Sequence, residues 1–114
     1  MKINVLHEDF SKVKTPALIV NIFEDTKKPT GSAEVVDEAL GGTIGQLMSC
    51  GEIQGKKSEL TLIHTFGRIA ADRILVLGLG KRTEFSANTI REVTGDACRF
   101  LKSKSITAAC TVAH

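Results

Sequence analysis

The sequence predicts an α/β fold in which a mixed sheet of five or more strands is flanked by helices. Three observations predict it. Ala17–Phe23 (A-L-I-V-N-I-F) is a continuous apolar, β-branched run of the kind buried on both faces of a sheet. Leu60–Thr65 and Arg73–Leu79 are two strand-like runs separated by only seven residues, too few for a parallel crossover, so they pair as an antiparallel hairpin. From Arg73 onward the pattern runs strand, helix, strand, and such a unit returns in parallel as a right-handed crossover.

The first strand is Lys2–Leu6 (K-I-N-V-L), which alternates with period two. A polar connection ends at Thr15-Pro16, with the proline before the second strand, where its missing N–H does little harm. Glu24–Gly31 is a loop, after which Ser32 stands where a helix N-cap belongs. Ala33, Val36, Leu40, Ile44, Leu47 and Met48 follow at spacings of three and four, a helical stripe reaching to about Cys50. Gly41, Gly42 and Gly45 interrupt it, so one kinked helix and two shorter ones both fit. The polar segment Gly51–Ser58 is the loop that ends it. Ser86 caps the next helix, whose inner stripe is Ile90, Val93, Ala97, Phe100 and Leu101 against Arg91, Glu92, Asp96, Arg99 and Lys102 outside. Ile106–Ala113 is a fifth strand. The chain stops at His114, directly after it, and the expectation is a sheet that continues in residues beyond: a domain incomplete at its C-terminus.

At 114 residues the chain is one domain or a piece of one, and 42% hydrophobic with 25% charged residues place it among ordinary globular sequences. A net charge of +2 is far from the concentrated positive field of a nucleic-acid binder. The basic pairs Lys27-Lys28, Lys56-Lys57 and Lys81-Arg82, and Lys102 with Lys104, read as solvated loops and helix ends. With no Trp or Tyr and five Phe, the aromatic platforms that stack single-stranded bases are missing too. No apolar run approaches the roughly 18 residues of a membrane span, and charge returns at Glu8 and Asp9 too soon for a signal peptide. The expectation is a cytoplasmic protein.

The segment R-I-L-V-L-G-L-G-K at Arg73–Lys81 has the order of a phosphate cradle: strand, glycine turn, base. Spacing removes both standard versions. A dinucleotide fingerprint starting from Gly78 and Gly80 needs a third glycine where Thr83 stands. A P-loop ending in Gly80-Lys81 needs glycine where Leu75 stands and Ser or Thr where Arg82 stands. The helix begins five residues after Lys81, too late to add its N-terminus to the turn. A weaker anion nest from the glycines with Lys81 and Arg82 is the remaining possibility, and a turn with positive φ and close packing is the simpler reading.

Other chemistry is sparse. His7-Glu8-Asp9 is the densest titratable cluster, but adjacent residues seldom converge on one atom, so it reads as an exposed strand end. His64 reads as a half-buried strand residue, and His114 is terminal. Cys50, Cys98 and Cys110 form no C-x-x-C pair and read as reduced core thiols. There is no G-x-S-x-G elbow. No catalytic, cofactor-binding or metal-binding residue is assigned to the chain.

Three segments carry a family resemblance: R-I-L-V-L-G-L-G-K at Arg73–Lys81, F-S-A-N-T-I-R-E-V-T-G-D-A at Phe85–Ala97, and L-G-G-T-I-G-Q-L-M-S-C-G-E-I-Q-G-K-K-S at Leu40–Ser58. Together they resemble the N-terminal domain of the leucyl (cytosol) aminopeptidases over nearly the whole chain. The G-L-G-K turn, at its spacing from both helices, is the most specific element. The resemblance implies a macro-domain-like α/β domain preceding a larger catalytic domain. That second domain would hold two divalent metals, zinc or manganese, which activate water against a peptide bond. It also implies hexamers, and DNA binding in some bacterial members, which the charge here does not support. The family's metal-ligand signature N-T-D-A-E-G-R-L does not occur between Met1 and His114. The resemblance thus makes this chain a non-catalytic domain, with its own catalytic domain and further copies as partners. The alternative it leaves is a macro-like module for ADP-ribose or another phosphate.

Overall fold

A computed structural model describes residues 2–6 and 12–112, the side chains of residues 2, 4–6 and 112 excepted. The elements run β1 (Lys2–Leu6), β2 (Leu18–Ile22), α1 (Ser32–Ala39), α2 (Thr43–Ser49), β3 (Leu60–His64), β4 (Arg73–Gly78), α3 (Ala87–Ser103) and β5 (Ala108–Val112). They form one five-stranded sheet of order β1-β5-β2-β4-β3. β1, β5, β2 and β4 are mutually parallel, and β3 alone runs antiparallel, against β4. The expected hairpin and the expected parallel return through α3 are both present.

Strand alternation divides the core into two layers. Leu18, Val20 and Ile22 of β2, with Ile74 and Val76 of β4, face α1 and α2 and pack on Ala33, Val36, Leu40 and Ile44. Ile19, Leu75 and Leu77 face the other way and meet Val93, Ala97 and Leu101 of α3. Both faces of β2 and β4 are therefore covered, which is why those strands read as unbroken apolar runs.

The helical stripe that ended at Cys50 is two helices. Leu40 closes α1, then Gly41 and Gly42 both take left-handed φ (74° and 88°) and turn the chain into α2. Glycine adopts that region without steric penalty, so the pair sets the break. The α1 N-cap is Gly31 at φ 60°, with Ser32 already the first helical residue, so the assignment of Ser32 as cap shifts by one. On α3 the Ser86 cap holds: its hydroxyl accepts from Thr89 N while Thr89 Oγ1 accepts from Ser86 N at 3.1 Å, a reciprocal capping box. The inner stripe of α3 differs at its start, because Thr89 is buried for this cap and Ile90 turns outward, 37% exposed.

The thiols also differ from the expectation of three core residues. Cys110 is buried, Cys98 half-buried and Cys50 exposed at the end of α2. His64 is exposed, since it closes β3 at the rim of the sheet, with its ring 6.0 Å from that of Phe66. His7, Glu8, Asp9, Ala113 and His114 lie outside the described residues.

Candidate functional site

In an open α/β sheet a ligand crevice forms beyond the carboxyl ends of the parallel strands. Here that place lies after Ile22 of β2 and Gly78 of β4, and the Gly78–Lys81 turn occupies it. Three of the turn's backbone donors are spent inside the protein. Gly78 N donates to Glu59 O (2.8 Å), Leu79 N to Ile22 O (2.9 Å) and Gly80 N to Gly55 O (2.9 Å). Gly80 O in turn accepts from Glu24 N (2.9 Å), which extends the β2–β4 ladder beyond both strands.

What fills the crevice is the loop between α2 and β3, the segment that reads as merely polar. It carries Ile53, 2% exposed, into the core, and its backbone lies directly on the strand ends. A Cβ on Gly78 would stand 2.0 Å from Lys56 O, and one on Gly55 would stand 2.7 Å from Phe23 O. Gly78 is thus glycine for closeness, whereas Gly80, at φ +79°, is glycine for its turn as well. Ser58 and Glu59 both face Gly78 in a one-residue bulge, with Ser58 N donating to Gly78 O (3.0 Å) and Ser58 itself at φ 64°.

The loop is fastened at its outer side as well. Ser58 Oγ donates to Asp96 on α3 (2.6 Å), Lys57 pairs with Glu92, and Arg99 bonds Asp96 one helical turn on. The Ser58 hydrogen bond, then that of Arg99, holds the Asp96 carboxyl below the ordinary aspartate range. Across the crevice the Arg82 guanidinium lies 4.2 Å over the Phe23 ring, and Phe85 meets Phe23 edge-on at 5.3 Å. Arg82 is therefore engaged with an aromatic face.

Two other anion-receptive features are filled by carboxylates of the chain itself. Gln54 N and Gly55 N both donate to Glu59 Oε1 at 2.8 Å. The first turn of α2, at Ile44 N and Gly45 N, donates to the two oxygens of Asp37 at 2.6 and 3.0 Å. Asp37 is only 7% exposed, and this pairing is what makes its burial tolerable. An open cleft of about 570 Å³ beside the loop, lined by Glu24, Lys27, Met48, Ile53 and Gln54 among others, sets one acid against one base and selects no ligand charge.

Among the described residues no group of three or more His, Cys, Asp or Glu could hold a metal ion. His64, Cys50, Cys98 and Cys110 stand on separate elements and converge on nothing. The sequence-level suspicion of a phosphate nest at Gly78–Lys81 meets a turn in which the amides of Gly78, Leu79 and Gly80 are already bonded. The roles of Asp37 and Glu59 escaped the sequence reading. Asp37 acts on backbone seven and eight residues ahead and Glu59 on backbone five and four residues back, and no motif marks such pairings.

With this geometry in hand, comparison with known proteins identifies the chain. A model of the N-terminal domain of the cytosol aminopeptidase family matches residues 19–114. The chain belongs to that family. A probable cytosol aminopeptidase of Alkaliphilus metalliredigens is 35% identical over 112 residues, 97% of this chain and 22% of that protein. One from Geobacter sulfurreducens is 33% identical over 114 residues, all of this chain and 23% of the relative. The chain thus spans about a fifth of the length of the curated relatives it matches. Among solved structures, a mutant tomato leucine aminopeptidase superposes with TM-score 0.73 at 17% identity, covering all of this chain and 23% of that one. The macrodomain of Mycobacterium tuberculosis DarG superposes with TM-score 0.73 at 14% identity, over 96% of this chain and 74% of that one. These likenesses show the fold, a macrodomain-type α/β sheet shared with part of a leucine aminopeptidase.

Proposed function

We propose that this domain is the non-catalytic N-terminal part of a metal-dependent aminopeptidase of the cytoplasm, and that it serves packing and assembly. The observation that carries the reading is the family match over residues 19–114 in a chain that spans about a fifth of its relatives. The parent enzyme would remove N-terminal residues from peptides using two divalent ions, manganese or zinc, held by the remaining four-fifths or so of such a protein. The described residues do not fit that centre, since no three ligating side chains meet among them. What these residues do instead is hold a rigid platform, with the loop between α2 and β3 locked to two strands and to α3. Further copies of the chain, in the hexameric arrangement the resemblance implies, are its expected partners.

The test is hydrolysis of a leucine amide with manganese, by the 114-residue chain and by a full-length relative. Turnover by the relative alone is expected, and turnover by the 114-residue chain would overturn the reading. The alternative, a macro-like module for ADP-ribose or another phosphate, is less favoured because, among the described residues, Glu59, Asp37 and the Gly55 carbonyl already accept from the amides of Gln54, Gly55, Ile44, Gly45 and Gly80.

A further inference from the structure

Two open clefts lie between the loop that follows β2 and the helices α1 and α2, and they run into one another. One, of about 410 Å³, is lined by Glu34 and Glu38 of α1 with Gly41. The other, of about 580 Å³, is lined by Lys27 of the loop with Gln46 and Ser49 of α2. Lys28, Asp37 and Gly42 line both, so the two form one groove. Pro29 is buried and roots the loop against α2, its Cδ 3.8 Å from where a Cβ on Gly45 would stand.

Charge is sorted along this groove. Glu34 and Glu38 stand at one end, Lys27 at the other, and Lys28 at the junction. All four are exposed, and among the described residues none of their side chains makes a hydrogen bond or ion pair. Asp37 is spent, since its oxygens already accept from Ile44 N and Gly45 N. The acidic pair is not placed for stability. Two glutamates four apart on a helix repel, and Glu38 sits in the last turn of α1, where the helix dipole favours a cation and the helix supplies none. Arg68 reaches the end of α1 but donates to Leu40 O (3.0 Å) instead. A chain that breaks such local rules does so most often where a ligand completes them.

At the strand ends the chain supplies acceptors for its own amides, whereas here it leaves two cations and two anions unmatched. We propose that this groove binds a short peptide with free termini, its ammonium group against Glu34 and Glu38 and its carboxylate against Lys27 and Lys28. Such a ligand brings both missing charges in one molecule, in the order in which the groove presents them. The exposed Gln46 amide, which donates and accepts, suits the peptide bonds between the two ends. A simple anion would answer the lysines and leave the glutamates opposed, and a simple cation would do the reverse. The clefts also fall in the size range of small-ligand sites, roughly 300 to 1,000 Å³. This inference rests on the groove alone and not on the aminopeptidase reading.

The test is an amide-resolved NMR titration of the 114-residue chain at neutral pH with four probes: trialanine, its N-acetyl form, its C-terminal amide and free alanine. Trialanine should give saturable shifts at Gly41, Gly42, Gln46 and Ser49, at millimolar concentration because the pairing charges are exposed. Removing either terminal charge should weaken binding by about fivefold or more, and alanine, too short for the groove, should bind more weakly than trialanine. The double variant Glu34→Gln with Glu38→Gln should weaken trialanine to the level of its N-acetyl form and leave the N-acetyl form unaffected. Lys27→Ala with Lys28→Ala should act in the same way on the C-terminal amide. All four side chains are exposed, so both variants should keep the fold, read from the unshifted amides of β2 and β4. No saturable shift with trialanine would overturn the proposal. So would equal binding of the acetylated or amidated probes, equal binding of alanine, or variants that weaken every probe alike.

Discussion

At the scale of single residues, the same amino acid is held in place by different physics. Gly78 keeps an ordinary φ and is glycine because Lys56 O leaves no room, whereas Gly67, at φ +82°, has nothing within 4 Å of a would-be Cβ. Gly67→Ala should therefore lower stability by about 1–2 kcal/mol, the penalty of a left-handed Cβ. Gly78→Ala should lower it by about 3 kcal/mol or more, because backbone must move, and should shift the amide resonances of Gly55 and Lys56 as well. Urea unfolding of the two variants distinguishes them, and equal midpoints would contradict the packing argument. Asp37 offers a second contrast. Asp37→Ala leaves Ile44 N and Gly45 N without their acceptor at a buried helix start, and a loss of about 2 kcal/mol is expected. Close packing at the glycine turn was readable in the sequence, but the segment that presses on Gly78 and the role of Asp37 were not. The clash at Gly78 and the bond to Asp37 come from segments brought together only by folding, and a string of letters shows glycine and aspartate without their neighbours.

At the scale of elements, local signals and burial agree where one force dominates. The two-sided burial of β2 and β4, the hairpin spacing and the Ser86 cap were all readable, because periodicity and capping chemistry are local. Ser86→Ala should remove the box with Thr89 and weaken α3 by about 1 kcal/mol, measurable as faster amide exchange in its first turn. Readings failed where tertiary contact overrode the local pattern. Ile53 is buried within a segment of polar neighbours because the loop lies on strand ends, and Ile90 turns outward because the capping threonine takes the inner position. The ties between loop and α3 also make stability depend on pH. Asp96, through Ser58 and then Arg99, and Asp72, through Lys14, both have carboxyl pKa values lowered from 3.8. In acid the unfolded chain then takes up protons before the folded one does. Their stabilisation is present above the unfolded value and is lost as pH falls through the folded values. Asp96→Asn should flatten the decline in the urea midpoint between about pH 6 and about pH 3, and because neither carboxylate is fully buried the difference should shrink in high salt. An unchanged pH profile would show that the Ser58–Asp96 tie contributes nothing.

At the scale of the whole molecule, the fold class and the family were legible in the chain. The physical reason the glycine turn is not a cradle was not, since it depends on the loop that covers it. The structure has the sheet of a macrodomain, and among the described residues several candidate anion-binding amides are filled by acceptors of the chain itself: a carbonyl at Gly80, Glu59 at Gln54 and Gly55, Asp37 at Ile44 and Gly45. Such self-occupancy suits the packing role proposed above. The most direct measurement is an amide-resolved NMR titration of the 114-residue chain with ADP-ribose to millimolar concentration. The account predicts no saturable shift at Ile44, Gly45, Gln54, Gly55 or Gly78 through Gly80. A saturable shift at those amides would contradict it, by showing that a ligand can displace the acceptors the chain supplies.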